Sequence, residues 1–201
     1  MTKPGEIIIN GKTLEEILEN HMHWIKKDIV GWECMRANLY NANLKNVDLS
    51  GVDLSYAYLN GANLCDANLK NVDLSYAYLN GANLCDANLK NVNLSGAYLH
   101  NADLHGVNLS GANLSGANLS YANLSYVDMA DANMRGAIMS YANLSYANLS
   151  YADLSYADLS YAITRDAIMR GANMINANMS CANMSCANMI NADLRGANMS
   201  G

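Results

Sequence analysis

From Ala37 to Gly201, apolar and polar positions recur with one unbroken period of five. Every position ending in 2 or 7 is Ala or Val, 27 and 6 times in 33 repeats. Every position ending in 4 or 9, from Leu39 to Met199, is Leu (23), Met (9) or, at Thr164 alone, Thr. The position between them is Asn (19), Asp (8), Tyr (3) or Ile (3). The fourth position is mostly Ser, and the fifth is Gly, Tyr, Asn, Asp or Cys. A helix needs apolar spacings of three and four, and a flat strand needs alternation without end. A strict five meets neither. It predicts a three-residue alternating stretch followed by a corner, with Ala and Leu facing one way and the residue between them the other. Repeated corners wind the chain about an axis lined by Leu.

The number of corners per coil follows from a duplication. Residues 52–72, VDLSYAYLNGANLCDANLKNV, recur letter for letter at 72–92. The offset is 20, or four pentads. Copying one whole coil preserves every neighbour above and below, whereas an offset of three or five pentads would move each side chain to another face. Tyr58, Tyr78 and Tyr98 share that spacing and are the only Tyr in the second position. The prediction is four faces, 20 residues per coil and a little over eight coils over residues 37–201. One Leu per five residues does not offset the ordering of five backbone units. Coil-to-coil hydrogen bonds and the Asn/Asp side chains must supply the rest, so no coil is stable without neighbours.

These residues resemble the pentapeptide repeat family, whose pattern is A-(D/N)-L-x-x. The resemblance covers about four-fifths of the chain. It implies an all-β solenoid, a right-handed quadrilateral parallel β-helix, and it supplies the handedness that periodicity alone leaves open. Residues 1–36 read differently, as a leader and capping helix over about 13–30. EIIIN (6–10) is a strand candidate, and Asn10-Gly11 is a turn signal. Thr13 and Glu16 spell a capping box. Leu14, Ile17, Leu18, Met22, Ile25 and Ile29 sit near helical spacing, with Gly31 as the expected stop. An amphipathic helix can cover the open end of a β-helix.

Composition narrows the function. The chain is 51% apolar and 15% charged, with net charge −6 and no run long and apolar enough to span a membrane. The acidic balance argues against direct nucleic-acid binding. No basic-then-apolar leader is visible, and five Cys lack framework spacing, so a cytoplasmic setting is expected. No cofactor, metal or catalytic constellation is expected. His100 and His105 fall on different faces, Cys65 and Cys85 stack at a ladder spacing judged poor for a disulfide, and Cys34 is expected in the core. A core packed solid with Leu and Ala leaves no cavity for a substrate. The expected function is therefore a non-enzymatic scaffold presenting a rigid rod to a protein partner.

The candidate surface is a set of Tyr at corners. Tyr141, Tyr146, Tyr151, Tyr156 and Tyr161 occupy five successive corners, while Tyr121, Tyr141 and Tyr161 form one column and Tyr126 and Tyr146 another. Ile163 and Ile168 are apolar where Asn is usual. Exposed Tyr is enriched at interfaces, although stacked Tyr can equally serve to shield the backbone. Met184, Met189, Leu194 and Met199 mark the last coil as a candidate end-to-end homodimer surface, with fraying in a monomer as the other reading. The family resemblance also implies a DNA-mimicking rod that binds gyrase. Against this, residues 37–201 hold 12 Asp and 7 Lys plus Arg without a continuous acidic face. A structural or self-assembling rod is the second alternative.

Overall fold

The computed structural model describes residues 2–201. The second residue of each pentad pairs in parallel with its counterpart twenty positions on: Asn38 with Tyr58, Asn43 with Asn63, Asp48 with Asn68, Asp53 with Asp73, and onward in steps of five to Asn178 with Asn198. Every rung from Asn38 onward except Asn88–Asn108 carries two backbone bonds. The Leu39 N–H donates to Tyr58 O (2.7 Å), and the Tyr58 N–H donates to Ala37 O (3.0 Å). Tyr58, Tyr78 and Tyr98 stand above one another, with ring centroids 5.3 and 4.9 Å apart.

The corners are four-residue turns, closed by bonds such as Ala42 N–H to Leu39 O (3.1 Å). At every corner from Asn41 to Gly196 the fifth residue of the pentad has φ between 52° and 72°. Positive φ at the third turn position is the mark of a type II turn. Gly, Asn and Asp enter this region at least cost, which explains their frequency. Nine of these corners nevertheless carry Tyr.

Ala and Leu or Met positions from Ala37 to Met179 are buried, with Val52 only partly covered. Outside, the second-position side chains form a directional ladder. Their Oδ1 accepts the N–H two residues on, as Asp73 does from Ser75 (2.8 Å). Each Asn can then donate Nδ2–H to the coil beneath, as Asn68 does to Asp48 (2.9 Å) and Asn123 to Asp103 (2.9 Å). An Asp accepts from above but has no proton to pass down. Six of the second-position Asp residues (Asp48, Asp73, Asp103, Asp128, Asp153 and Asp158) are met by an Asn from the next coil.

The N-terminal module sits on the first coil. Strands β1 (Ile8–Ile9) and β2 (Lys12–Thr13) form a hairpin about Asn10-Gly11, both at positive φ. Helix α1 spans Leu14–Lys26. Thr13 N–H donates to Glu16 Oε2 (2.7 Å), and Glu16 N–H donates back to Thr13 Oγ1 (3.1 Å). The helix is shorter than the expected 13–30. Lys27 adopts a left-handed conformation (φ 54°) and its N–H returns to His23 O, so the helix stops before Gly31. Leu14 and Ile17 join the core of the coil. Buried His21 accepts the Ala37 N–H at Nδ1 (3.2 Å), so its Nε2–H donates to Ser55 O (3.1 Å). Thr2 adds a parallel rung on Val47.

Cys34 departs from expectation. It is exposed in a 3-10 turn, Trp32–Cys34, and its thiol donates to Gly31 O (3.1 Å). The ladder begins only at Asn38, so the preceding pentad has no coil to enter. At the other end, Met184, Met189 and Leu194 are half-buried and Met199 is exposed, all packed at one end of the solenoid.

Candidate interaction surface

The corner Tyr residues group by face. In one column, Tyr121 stacks on Tyr141 (4.9 Å, 4°) and Tyr141 on Tyr161 (4.8 Å, 2°). At the next corner, Tyr126 stacks on Tyr146 (4.8 Å, 11°). Between these columns lies the face bearing Asn123, Asn143 and Ile163, which form successive parallel rungs. Ile163 is 43% exposed. Arg165 closes the edge of this face. Its Nη2–H donates to Tyr146 Oη (2.7 Å), its Cζ lies 5.5 Å from the ring centroid, and its Nε is 3.1 Å from Asp166 Oδ2. Above the first column, the neighbouring Cys181 thiol holds the Tyr161 phenol's pKa above its ordinary value.

The other predicted residues do not join this patch. Ile168 lies on the following face, in the Asn148–Ile168–Asn188 rungs. Tyr151, at the corner beyond that face, leans over Gly171, where a Cβ would meet the ring at 2.7 Å. Tyr156, on the opposite side, takes Arg135 over its ring at 4.8 Å. Five corners circle the rod, so a single flat partner reaches only part of the set. Ile138, exposed on the Tyr58–Tyr78–Tyr98 face, was missed because its lower neighbour in that column is Asn118, an ordinary repeat residue. The guanidinium of Arg36 was also missed. It lies 3.9 Å from the Tyr58 ring centroid and donates to Tyr56 O and Tyr58 Oη. Only the coil geometry brings these groups together.

The two histidines of the coil each meet a Ser in the coil above. His100 Nδ1 meets Ser120 Oγ (2.9 Å), and His105 Nδ1 meets Ser125 Oγ (3.0 Å), one face apart. Each imidazole lies edge-on to the Tyr above it, Tyr121 and Tyr126. Among the described residues, no three His, Cys, Asp or Glu side chains cluster as metal ligands. Cys65 and Cys85 stack as expected, but their sulfurs converge to 2.7 Å, contrary to the parallel arrangement anticipated from the ladder. Asp53 lies beneath Asp73, while Lys45 Nζ approaches Asp66 Oδ2 at 3.6 Å, so acidic columns are short and partly neutralised. A cleft of about 360 Å³ opens between Trp24, Ile25, Lys27, Trp32, Ser55 and Tyr56, at the seam of helix and coil.

Pentapeptide repeats match in 8 copies, over residues 33–71, 67–106, 97–136, 117–155, 152–185 and 165–201. The chain belongs to the pentapeptide repeat family. No curated protein matches it. Among solved structures, a trypsin-treated form of QnrB1, a plasmid-mediated fluoroquinolone resistance protein, aligns with TM-score 0.50 and 22% identity, covering 82% of this chain and 84% of that one. HetL, involved in heterocyst differentiation regulation in the cyanobacterium Nostoc, aligns with TM-score 0.33 and 29% identity over 81% and 87%. A protein of the Arabidopsis thaliana thylakoid lumen aligns with TM-score 0.43 and 29% identity over 59% and 68%. The first of these supports the shared fold and nothing finer. No helix among the described residues is long and apolar enough to cross a membrane.

Proposed function

We propose that this pentapeptide repeat protein is a non-enzymatic cytoplasmic scaffold that binds a protein partner through the face between the two Tyr columns. The observation that supports this reading is the convergence of Tyr141, Tyr161, Tyr146, Ile163 and Arg165 on one exposed surface. Tyr and Arg are the residue types enriched at interface centres, and here their rings are held rigid by stacking. A straight, solid rod offers a long face and no enclosed chamber, which suits a macromolecule better than a small substrate.

The test replaces Tyr141 and Tyr161 with Asn, which already occupies the same column at Asn41 and Asn101 with positive φ. The folded rod should persist by circular dichroism while a partner captured by the wild-type chain from its native host is lost. Equal capture by both forms would overturn the assignment of this face. The DNA-mimic reading draws on the net charge of −6. It calls for a long acidic surface, and the short Asp columns, one of them met by Lys45 at Asp66, speak against it. Added protein is therefore expected to leave gyrase supercoiling unchanged. Inhibition or drug protection at micromolar protein would reverse that preference. The C-terminal Met184, Met189, Leu194 and Met199 surface remains the proposal for self-association, read out by light scattering.

A further inference from the structure

We infer that Cys65 and Cys85 form a reversible disulfide that clamps two successive coils, making this pair an oxidation site on the rod. The duplication of residues 52–72 at 72–92 shifts the chain by one coil, so it places a copied Cys directly over its original. The neighbouring rungs, Asn63 on Asn83 and Asn68 on Asn88, are paired in parallel and hold the two backbones at strand spacing. That spacing, about 4.8 Å, falls within the Cα separations disulfides accept. The two Sγ atoms are 2.7 Å apart, and both side chains are partly open to solvent. No other pair of the five Cys shares a face in adjacent coils: Cys181 and Cys186 occupy different corners, and Cys34 lies in the N-terminal module.

The chemistry requires an oxidant of the low-molecular-weight disulfide class. Cys85, as thiolate, attacks one sulfur of that disulfide. A mixed disulfide forms on Cys85 and one thiolate leaves. Cys65 then loses its proton to solvent and attacks Cys85 Sγ, forming the Cys65–Cys85 bond and expelling the second thiolate. The protein gives up two electrons and two protons, and the small disulfide is reduced to two thiols. The order follows from the local contacts. The hydrogen bond shared with Cys85, burial, and the bond that Cys65 Sγ donates to Asp66 Oδ2 (3.4 Å) hold the proton on Cys65 and push its pKa up to about 12. Cys65 is thus the resolving thiol, and closure accelerates as pH rises.

The experiment titrates the full-length protein with oxidised and reduced glutathione, then alkylates and digests with trypsin. Lys45, Lys70 and Lys90 place the two Cys on separate peptides, 46–70 and 71–90. The expected product is one cross-linked species joining these peptides, lighter by two hydrogens. Cys34, Cys181 and Cys186 should stay alkylatable, and the protein should remain a monomer or keep its starting mass. Cys65→Ser and Cys85→Ser each remove the cross-link. Ser125 and Ser145 already fill this column, so both variants should fold. Mixed glutathione adducts that never resolve, or cross-links between molecules, would overturn the inference. So would a pair still reduced at the oxidising end of the titration.

Discussion

Tyr141 lies on Tyr161 one coil away with centroids 4.8 Å apart and planes 2° from parallel, and both residues hold φ close to 60°. The left-handed backbone costs about 1–2 kcal/mol for a residue with a bulky side chain. A well-stacked aromatic pair returns about 0.5–1.5 kcal/mol beyond area burial. The two nearly cancel, so Tyr is affordable at a corner without being required by the fold. Tyr161→Asn, which breaks only this one stack, should therefore change unfolding free energy by less than about 1 kcal/mol, since Asn enters this region more easily. Urea denaturation measures it. A loss above about 3 kcal/mol would make the column a structural spine and weaken its assignment as a binding face.

The N-terminal module should respond to acid through His21. This imidazole is buried, and both nitrogens are committed: Nδ1 accepts from Ala37 N–H and Nε2–H donates to Ser55 O. Burial lowers its pKa below the ordinary value, outweighing the opposite pull of Asp53. The unfolded chain thus binds the proton more readily than the folded one. The stabilisation from neutral His21 is complete above pH of about 6.5, and is lost as pH falls through the lower folded value. Trp24 stacks on His21 at 5.5 Å, so its fluorescence reports the event. The expected result is a reversible emission change in mild acid that disappears in His21→Gln, with the coil's far-ultraviolet signal unchanged.

The period of five and the copied segment at 52–92 were sufficient to place every vertical neighbour from Asn38 onward, because a pairing rule of one coil leaves no freedom once the frame is unbroken. The Tyr columns were legible for the same reason. Side-chain direction was not. Cys65 and Cys85 lie at a spacing that suggested parallel thiols, yet their sulfurs are 2.7 Å apart. Cys34 and the helix end were misjudged because the leader lacks the repeat. A left-handed Lys27 is chosen by local geometry that no spacing reveals. The candidate face required knowing that Arg165 folds back onto Tyr146, a contact set by rotamer and not by period.

The Asn ladder makes a charge-specific prediction. Asn93 donates Nδ2–H to both carboxylate oxygens of Asp73 at 3.2 Å, and Asp73 itself lies above Asp53. Asn93→Asp removes the donor and stacks a third carboxylate in the column. Like charges directly opposite destabilise a sheet pair, and the lost charge-assisted hydrogen bond adds to that. The expected cost is about 1–2 kcal/mol at neutral pH and low salt. Because the face is solvated, about 1 M salt should recover much of it by screening. Asn113→Asp, between Asn93 below and Asn133 above, breaks the same kind of ladder bond (3.3 Å to Asn93 Oδ1) with no carboxylate directly above or below and should cost less. Equal costs for the two variants would show that the ladder bond, not the charge column, sets the penalty.

Thr164 is the one hydroxyl in the inner Leu column, fully buried between Leu144 and Met184 positions. Its Oγ1–H donates to Asn183 O (3.2 Å), which already accepts the Thr164 backbone N–H (2.8 Å). Replacing the hydroxyl therefore orphans no acceptor, because the ladder bond stays. The backbone at this step matches those that hold Leu elsewhere, with the same rung partners on either side. Thr164→Leu adds buried apolar groups worth about 0.8 kcal/mol per methylene, so unfolding should become harder by about 1–2 kcal/mol. The urea midpoint should rise with an unchanged slope, since the surface exposed on unfolding barely alters. If adaptable Met184 has already filled the space beside Thr164, the added bulk will instead overpack the core and cost about 1–3 kcal/mol. The sign of the midpoint shift decides between a core with room at Thr164 and one that has closed around it.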